Sequence, residues 1–139
     1  MNLILKNTAI LLWILLTLFV CRVLGQLTVL LFAPSFLPPM EDWYSGLMPY
    51  GLLLPSQLII ISVFSKINLD ITHVKGYFAR PNHRMGLWLK YFGVIYFLGM
   101  IVRFIIQGIS IPVVFHWILA TYILVFGNYH IQYSKFNTR

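Results

Sequence analysis

The chain has 139 residues, of which 60% are hydrophobic, 17% aromatic and only 9% charged. A soluble domain carries roughly 25% charged residues to keep its surface wetted, so this composition excludes an ordinary soluble globule and points to a lipid-facing surface. The formal net charge is +7, but the basic residues interleave with long apolar runs and form no stripe, which excludes a nucleic-acid footprint. The lone cysteine, Cys21, excludes an internal disulfide and any CxxC redox or haem-attachment motif.

A helix needs about 20 mostly apolar residues to cross a hydrocarbon core, and four segments qualify. The first covers about 8–32 and is long enough to tilt. It opens like a secretory leader, with Lys6 before an apolar run. The run continues past leader length with no small-x-small cleavage site, and Arg22 lies inside it. Leu18-Phe19-Val20-Cys21 loosely matches a lipoprotein acceptor site, but Val20 is too large for the small residue required there. The expectation is an uncleaved, unlipidated span.

The connection that follows holds Pro34, Pro38 and Pro39, which cannot continue a helix. A second span is expected over about 47–65, then a polar connection over 66–86. The third and fourth spans, about 87–107 and 111–129, are joined only by Gly108-Ile109-Ser110, so they form a tight hairpin. Gly93, Gly99 and Gly108 permit close helix approach. Trp43, Tyr44, Trp88, Tyr91, Tyr129 and Tyr133 fall near the expected interfaces, where aromatic belts form. The predicted architecture is one all-α domain over 1–139, a polytopic membrane protein with four transmembrane helices in an up-down bundle.

Orientation follows from Lys and Arg. Lys6, Lys66, Lys75, Arg80, Arg84, Lys90, Lys135 and Arg139 fall on one side of a four-span arrangement, and neither opposite connection contains a basic residue. Both termini and the 66–86 connection are therefore expected in the cytoplasm, in a bacterial-type cytoplasmic (inner) membrane. The basic connection would lie against anionic lipid head groups.

Two arginines are left inside the apolar runs. Arg22 is followed by Gln26 and Arg103 by Gln107, and residues four apart share a helix face. An arginine near the middle of a span costs about 2.5–3.5 kcal/mol on insertion scales, so it turns to the protein interior and finds a partner. Two arrangements satisfy it. Glu41 and Asp42 can fold down from their connection and pair with Arg22 and Arg103. Alternatively Arg22, Gln26, Gln57, Arg103, Gln107 and His116 form a ligand-binding pocket for an anionic group. Tyr50 reaches the same level, and Pro49, Pro55 and Pro112 interrupt helices there and free backbone carbonyls as acceptors.

The catalytic candidates are His116 with Glu41 or Asp42, for proton transfer. An interior histidine is more often simply hydrogen-bonded. His73 and His83 lie in the 66–86 connection without cysteines or clustered acids, so no metal site is expected. No histidine pair suits a bridged haem, and no particular cofactor is implied.

The first functional expectation is a non-catalytic accessory or assembly subunit of a larger membrane complex, with an anionic lipid or cofactor contact in its outer half. The alternative is a small membrane enzyme or ligand-binding protein acting on an amphipathic anionic molecule at the outer leaflet. An oligomeric anion transporter ranks third. The partners expected are the bilayer, other membrane subunits or further copies of the chain, and an anionic lipid or ligand. Whether the protein catalyses anything is left open.

Overall fold

The computed structural model describes the backbone over residues 3–136 and side chains through Lys135; Arg139, used above for orientation, lies outside the described residues. The chain is all-helical, with four long helices: α1 (Leu3–Phe32), α2 (Tyr50–His73), α3 (His83–Gln107) and α4 (Ile111–Phe136). A short 3-10 helix, Met40–Trp43, sits in the first connection. Each long helix has the length and apolarity to cross a membrane, with mean hydropathies of 2.2, 1.6, 1.8 and 1.6 in chain order. Large apolar side chains such as Leu31, Ile59, Ile95 and Ile105 stand exposed on them. An apolar surface of that extent is what a bilayer covers; the chain is built as an integral membrane protein.

The helices do not contribute equally. α1 packs against both α2 and α4, whereas α3 packs against α4 alone, and no Cα of α3 comes within 8 Å of α1 or α2 among the described residues. The window of α3 with spanning hydropathy is only 6% buried, against 39% for α1. Gly86 and Gly127 set the α3–α4 crossing, since a Cβ at Gly86 would lie 2.8 Å from the Gly127 carbonyl. Gly93 meets Leu124, but Gly99 faces open space and packs nothing.

One half of the molecule holds the apolar core. Leu5, Ala9, Leu12, Leu15 and Leu16 of α1 meet Ile67 and Ile71 of α2 and Tyr122, Phe126 and Tyr129 of α4. Tyr122 spans the gap between α4 and α2: its ring stacks on Phe64 at 3.7 Å and its hydroxyl donates to Asn68 Oδ1 at 2.7 Å. The other half, toward the first connection and the Gly108 turn, carries the polar residues described below.

Helix limits depart from the expected spans for local reasons. α2 begins at Tyr50, after Pro49 in an extended conformation, so Leu47 and Met48 precede it. It then runs past Ser65 to His73, because its polar end is tied down. Lys66 pairs with Asp70, Asn68 accepts from Tyr122, and Thr72 accepts from the Trp13 indole at 3.0 Å. Asp70 also receives the Phe78 amide at 3.2 Å, folding the chain back sharply. α3 starts at His83 because Asn82 caps it, accepting from the Met85 amide at 3.1 Å. The polar connection is thereby reduced to 74–82. Pro112 falls in the first turn of α4, where no amide donor is needed. Of the three prolines expected to break helices, only Pro55 lies in a helix interior.

Candidate functional site

The site grows from α1. At the level of Arg22 the helix has Gly25 one turn on, and the indole of Trp43 lies against that glycine. A Cβ there would come within 2.7 Å of the ring. Trp43 is consequently buried, with 7% of its surface exposed, and its indole N–H donates to the Pro38 carbonyl at 3.0 Å. The sequence pattern suggests an interfacial belt position for Trp43; the glycine draws it inward instead. Its seating brings the Trp43 carbonyl over the polar face of α1.

That carbonyl organises three side chains. Arg22 donates to it through Nη2 at 3.2 Å. Gln26 donates to the same oxygen through Nε2, a longer contact of 3.5 Å. Gln57, arriving from α2, donates through Nε2 to Gln26 Oε1 at 3.5 Å. All three are deeply buried, at 7%, 0% and 4% exposure for Arg22, Gln26 and Gln57. Two of their atoms, Arg22 Nε and Gln57 Oε1, have no protein partner. The Tyr50 hydroxyl is buried and without a partner as well.

Arg22 and Gln57 line a cavity of about 230 Å³ between α1, α2 and α4. Its opposite wall carries His116 of α4 and Tyr96 of α3, and the Tyr96 hydroxyl is hydrogen-bonded to His116 Nδ1. Ser45 and Ser56 add hydroxyls, and Phe19, Leu53, Ile60, Phe115 and Leu119 supply an apolar lining. The cavity therefore offers a guanidinium and a few polar atoms within walls suited to hydrocarbon.

Of the six ligand-binding candidates read from the sequence, Arg22, Gln57 and His116 line this cavity, and Gln26 stands behind it as the link between Trp43 and Gln57. Arg103 and Gln107 are not brought there. Arg103 Nε donates to Gln107 Oε1 at 2.9 Å, within α3. Glu41 and Asp42 are exposed and line a separate groove of about 660 Å³ beside Ile109 and Ser110. That groove shares only Phe115 with the Arg22 cavity. Hence, among the described residues, no carboxylate pairs with Arg22 or Arg103, and Lys66–Asp70 is the ion pair found. Nor do His116 and the two acids converge on one reacting point.

Sequence reasoning misses Tyr96 and the role of Trp43. Tyr96 has no local signal, being one aromatic among many on α3. For Trp43 a signal exists in Gly25, the small residue between Arg22 and Gln26. Among the described residues no group of three or more His, Cys, Asp or Glu side chains is placed to hold a metal ion. Comparison with protein-family models, with curated proteins and with solved structures found no match to this chain.

Proposed function

We propose that this protein holds the anionic group of an amphipathic molecule in the cavity beside Arg22, in the outer half of a four-span, up-down bundle with both termini in the cytoplasm. The observation that carries the reading is Arg22 itself. A guanidinium buried without a counter-ion is costly, yet here it has one backbone carbonyl and a buried Nε without a protein partner, on a side chain that lines a cavity. An anion at Nε would complete the pairing that the protein does not supply. The apolar lining gives the rest of an amphiphile a place to lie.

Orientation in a bacterial-type cytoplasmic membrane is supported by the basic residues. Lys75, Arg80 and Arg84 lie at the end of the molecule that carries the 74–82 connection, and the connections at the other end contain no Lys or Arg. That arrangement puts the Arg22 cavity toward the outer leaflet.

The test is native mass spectrometry of the protein purified in a neutral detergent. The wild type should carry one acidic amphiphile, Arg22→Gln should lose it and Arg103→Gln should keep it. Equal retention by all three, or a wild type that carries nothing, would sink the proposal.

A second reading, an accessory subunit of a larger complex, is favoured by α3. This helix is covered on one side only, leaving Trp88, Phe92, Ile95 and Val102 exposed. A stoichiometric second chain in the same spectra would support it.

A further inference from the structure

The direction of the two glutamine amides specifies the ligand further, given the binding role proposed for the cavity. A glutamine has a donor end and an acceptor end, and its orientation is set by what surrounds it. Here the setting starts from a group that cannot be reversed. The Trp43 carbonyl only accepts, so Gln26 must turn its Nε2 toward it. Gln26 is then left with Oε1 facing α2, and Gln57 must present Nε2 to that oxygen. The acceptor end of Gln57 is what remains, and Gln57 lines the cavity with its Oε1 unpartnered. Both Gln57 and Arg22 are more than nine-tenths buried. Two buried groups of opposite kind, on side chains that line the cavity, are therefore left without a protein partner: a cationic donor at Arg22 Nε and a neutral acceptor at Gln57 Oε1.

We infer that the ligand is an acidic amphiphile carrying a hydrogen-bond donor, a hydroxyl or an amide N–H, a few atoms from its anionic group. Arg22 takes the anion and Gln57 Oε1 takes the donor. A phosphodiester lipid with a hydroxylated head group has this chemistry, as does an N-acyl amino acid. A simple fatty acid, or a phosphodiester lipid capped by an alkyl group, has the anion without the donor and leaves Gln57 unsatisfied. A zwitterionic choline lipid has no donor either, and it sets a second cation against Arg22.

Matched probes separate these requirements without changing the protein. Binding of phosphatidylglycerol and phosphatidylmethanol is compared by native mass spectrometry from mixed micelles, with phosphatidylcholine as the uncharged-overall reference. The first two have the same phosphodiester charge and differ in the head-group hydroxyls. N-acylglycine and a fatty acid of equal length form the second pair, differing in the amide N–H. In at least one pair the donor-bearing member should bind about tenfold more tightly, as expected when a buried acceptor is satisfied instead of left unpaired. The pair that shows the preference identifies the donor.

Gln57→Met, which keeps length and removes the acceptor, should abolish that preference and retain selectivity for anions over phosphatidylcholine. Gln57→Leu serves as a second variant if the first does not yield folded protein. Anion selectivity with no donor preference in either pair would overturn this inference while leaving the binding role standing, the unpaired Gln57 oxygen then being satisfied by water. Absence of any anion selectivity would overturn the binding role itself.

Discussion

Arg22 and Arg103 begin from the same local sequence pattern and end in opposite circumstances. Both lie in apolar helices with a glutamine four residues on. On α3 the pair closes on itself: Gln107 accepts from Arg103 Nε, and both residues lie at least partly exposed. On α1 neither residue turns to the other. Arg22 and Gln26 both reach the Trp43 carbonyl, and Gln26 passes its remaining acceptor to Gln57. The difference arises in the residue preceding each glutamine. It is Gly25 on α1, which admits the Trp43 ring, and Ile106 on α3, which is 75% exposed. A one-residue change in bulk decides whether a connection can dock on the helix and so whether the arginine is drawn inside. An i,i+4 pair thus records only what a helix face offers; the packing around that face determines its use.

Making α1 resemble α3 at this position is the strongest way to break the contrast. Gly25→Ile places a branched side chain where the Trp43 ring lies, and no small adjustment accommodates it, since even a Cβ would be 2.7 Å from that ring. Overpacking of this kind costs about 1–3 kcal/mol, and undocking Trp43 also removes the acceptor for Arg22 and Gln26. A loss of about 3 kcal/mol is expected in denaturant unfolding from mixed micelles, with Trp43 becoming accessible to an aqueous fluorescence quencher. Unchanged stability and quenching would mean that Gly25 does not decide how Trp43 docks.

The same contrast explains how much of the fold and of the site is legible in the amino-acid sequence. Hydropathy locates four helices because spanning length is a property of the chain alone. The cost of a guanidinium inside a span marks Arg22 and Arg103 alike, and Gln57 and His116 follow from their depth. Helix rotation and neighbour choice are not legible. All four helices are apolar on most faces, and the hydropathy of α3, 1.8, exceeds that of α4, 1.6, although α3 is much the less buried of the two. A helix whose faces are all apolar carries no stripe to show which side meets protein and which meets lipid. Sequence pattern accordingly groups Arg103 with Arg22 and gives no sign of Tyr96, the residue α3 does contribute. The 66–86 connection is read too long from composition for a related reason. Lys66, Asn68 and Asp70 look like loop residues by type, yet each is held by a partner in the folded chain, Asn68 through its Oδ1.

Removing the buried cation sharpens the comparison through the sign of its effect. In protein stripped of amphiphiles, Arg22 keeps one carbonyl as acceptor and no counter-ion. Replacing a poorly compensated buried charge by an apolar residue of similar volume is often stabilising. Arg22→Leu is therefore expected to raise the unfolding free energy of delipidated protein by about 1–2 kcal/mol and to remove the stabilisation that an acidic amphiphile gives the wild type. Stability and binding would then move in opposite directions, as they do at sites selected for a ligand. A loss of 3–5 kcal/mol without ligand, the size expected for breaking a buried ion pair, would instead mean that Arg22 has a charged partner within the fold.

The corresponding change on α3 should do almost nothing, and that is its value. Arg103 is half-buried and its hydrogen bond runs to a glutamine on its own helix. Exposed pairs of this kind contribute a few tenths of a kcal/mol, and substitutions away from buried features stay within about 0.5 kcal/mol. Arg103→Leu is expected to fall in that range in mixed micelles and to leave amphiphile binding unchanged. An effect on binding comparable to that of Arg22→Leu would show that the field of Arg103 reaches the cavity through His116, and the two arginines would then act as a pair despite the separation of α1 from α3. A loss of stability without a change in binding would place a neighbouring chain against α3, because the hydrogen bond of Arg103 within its own helix is too weak to account for it.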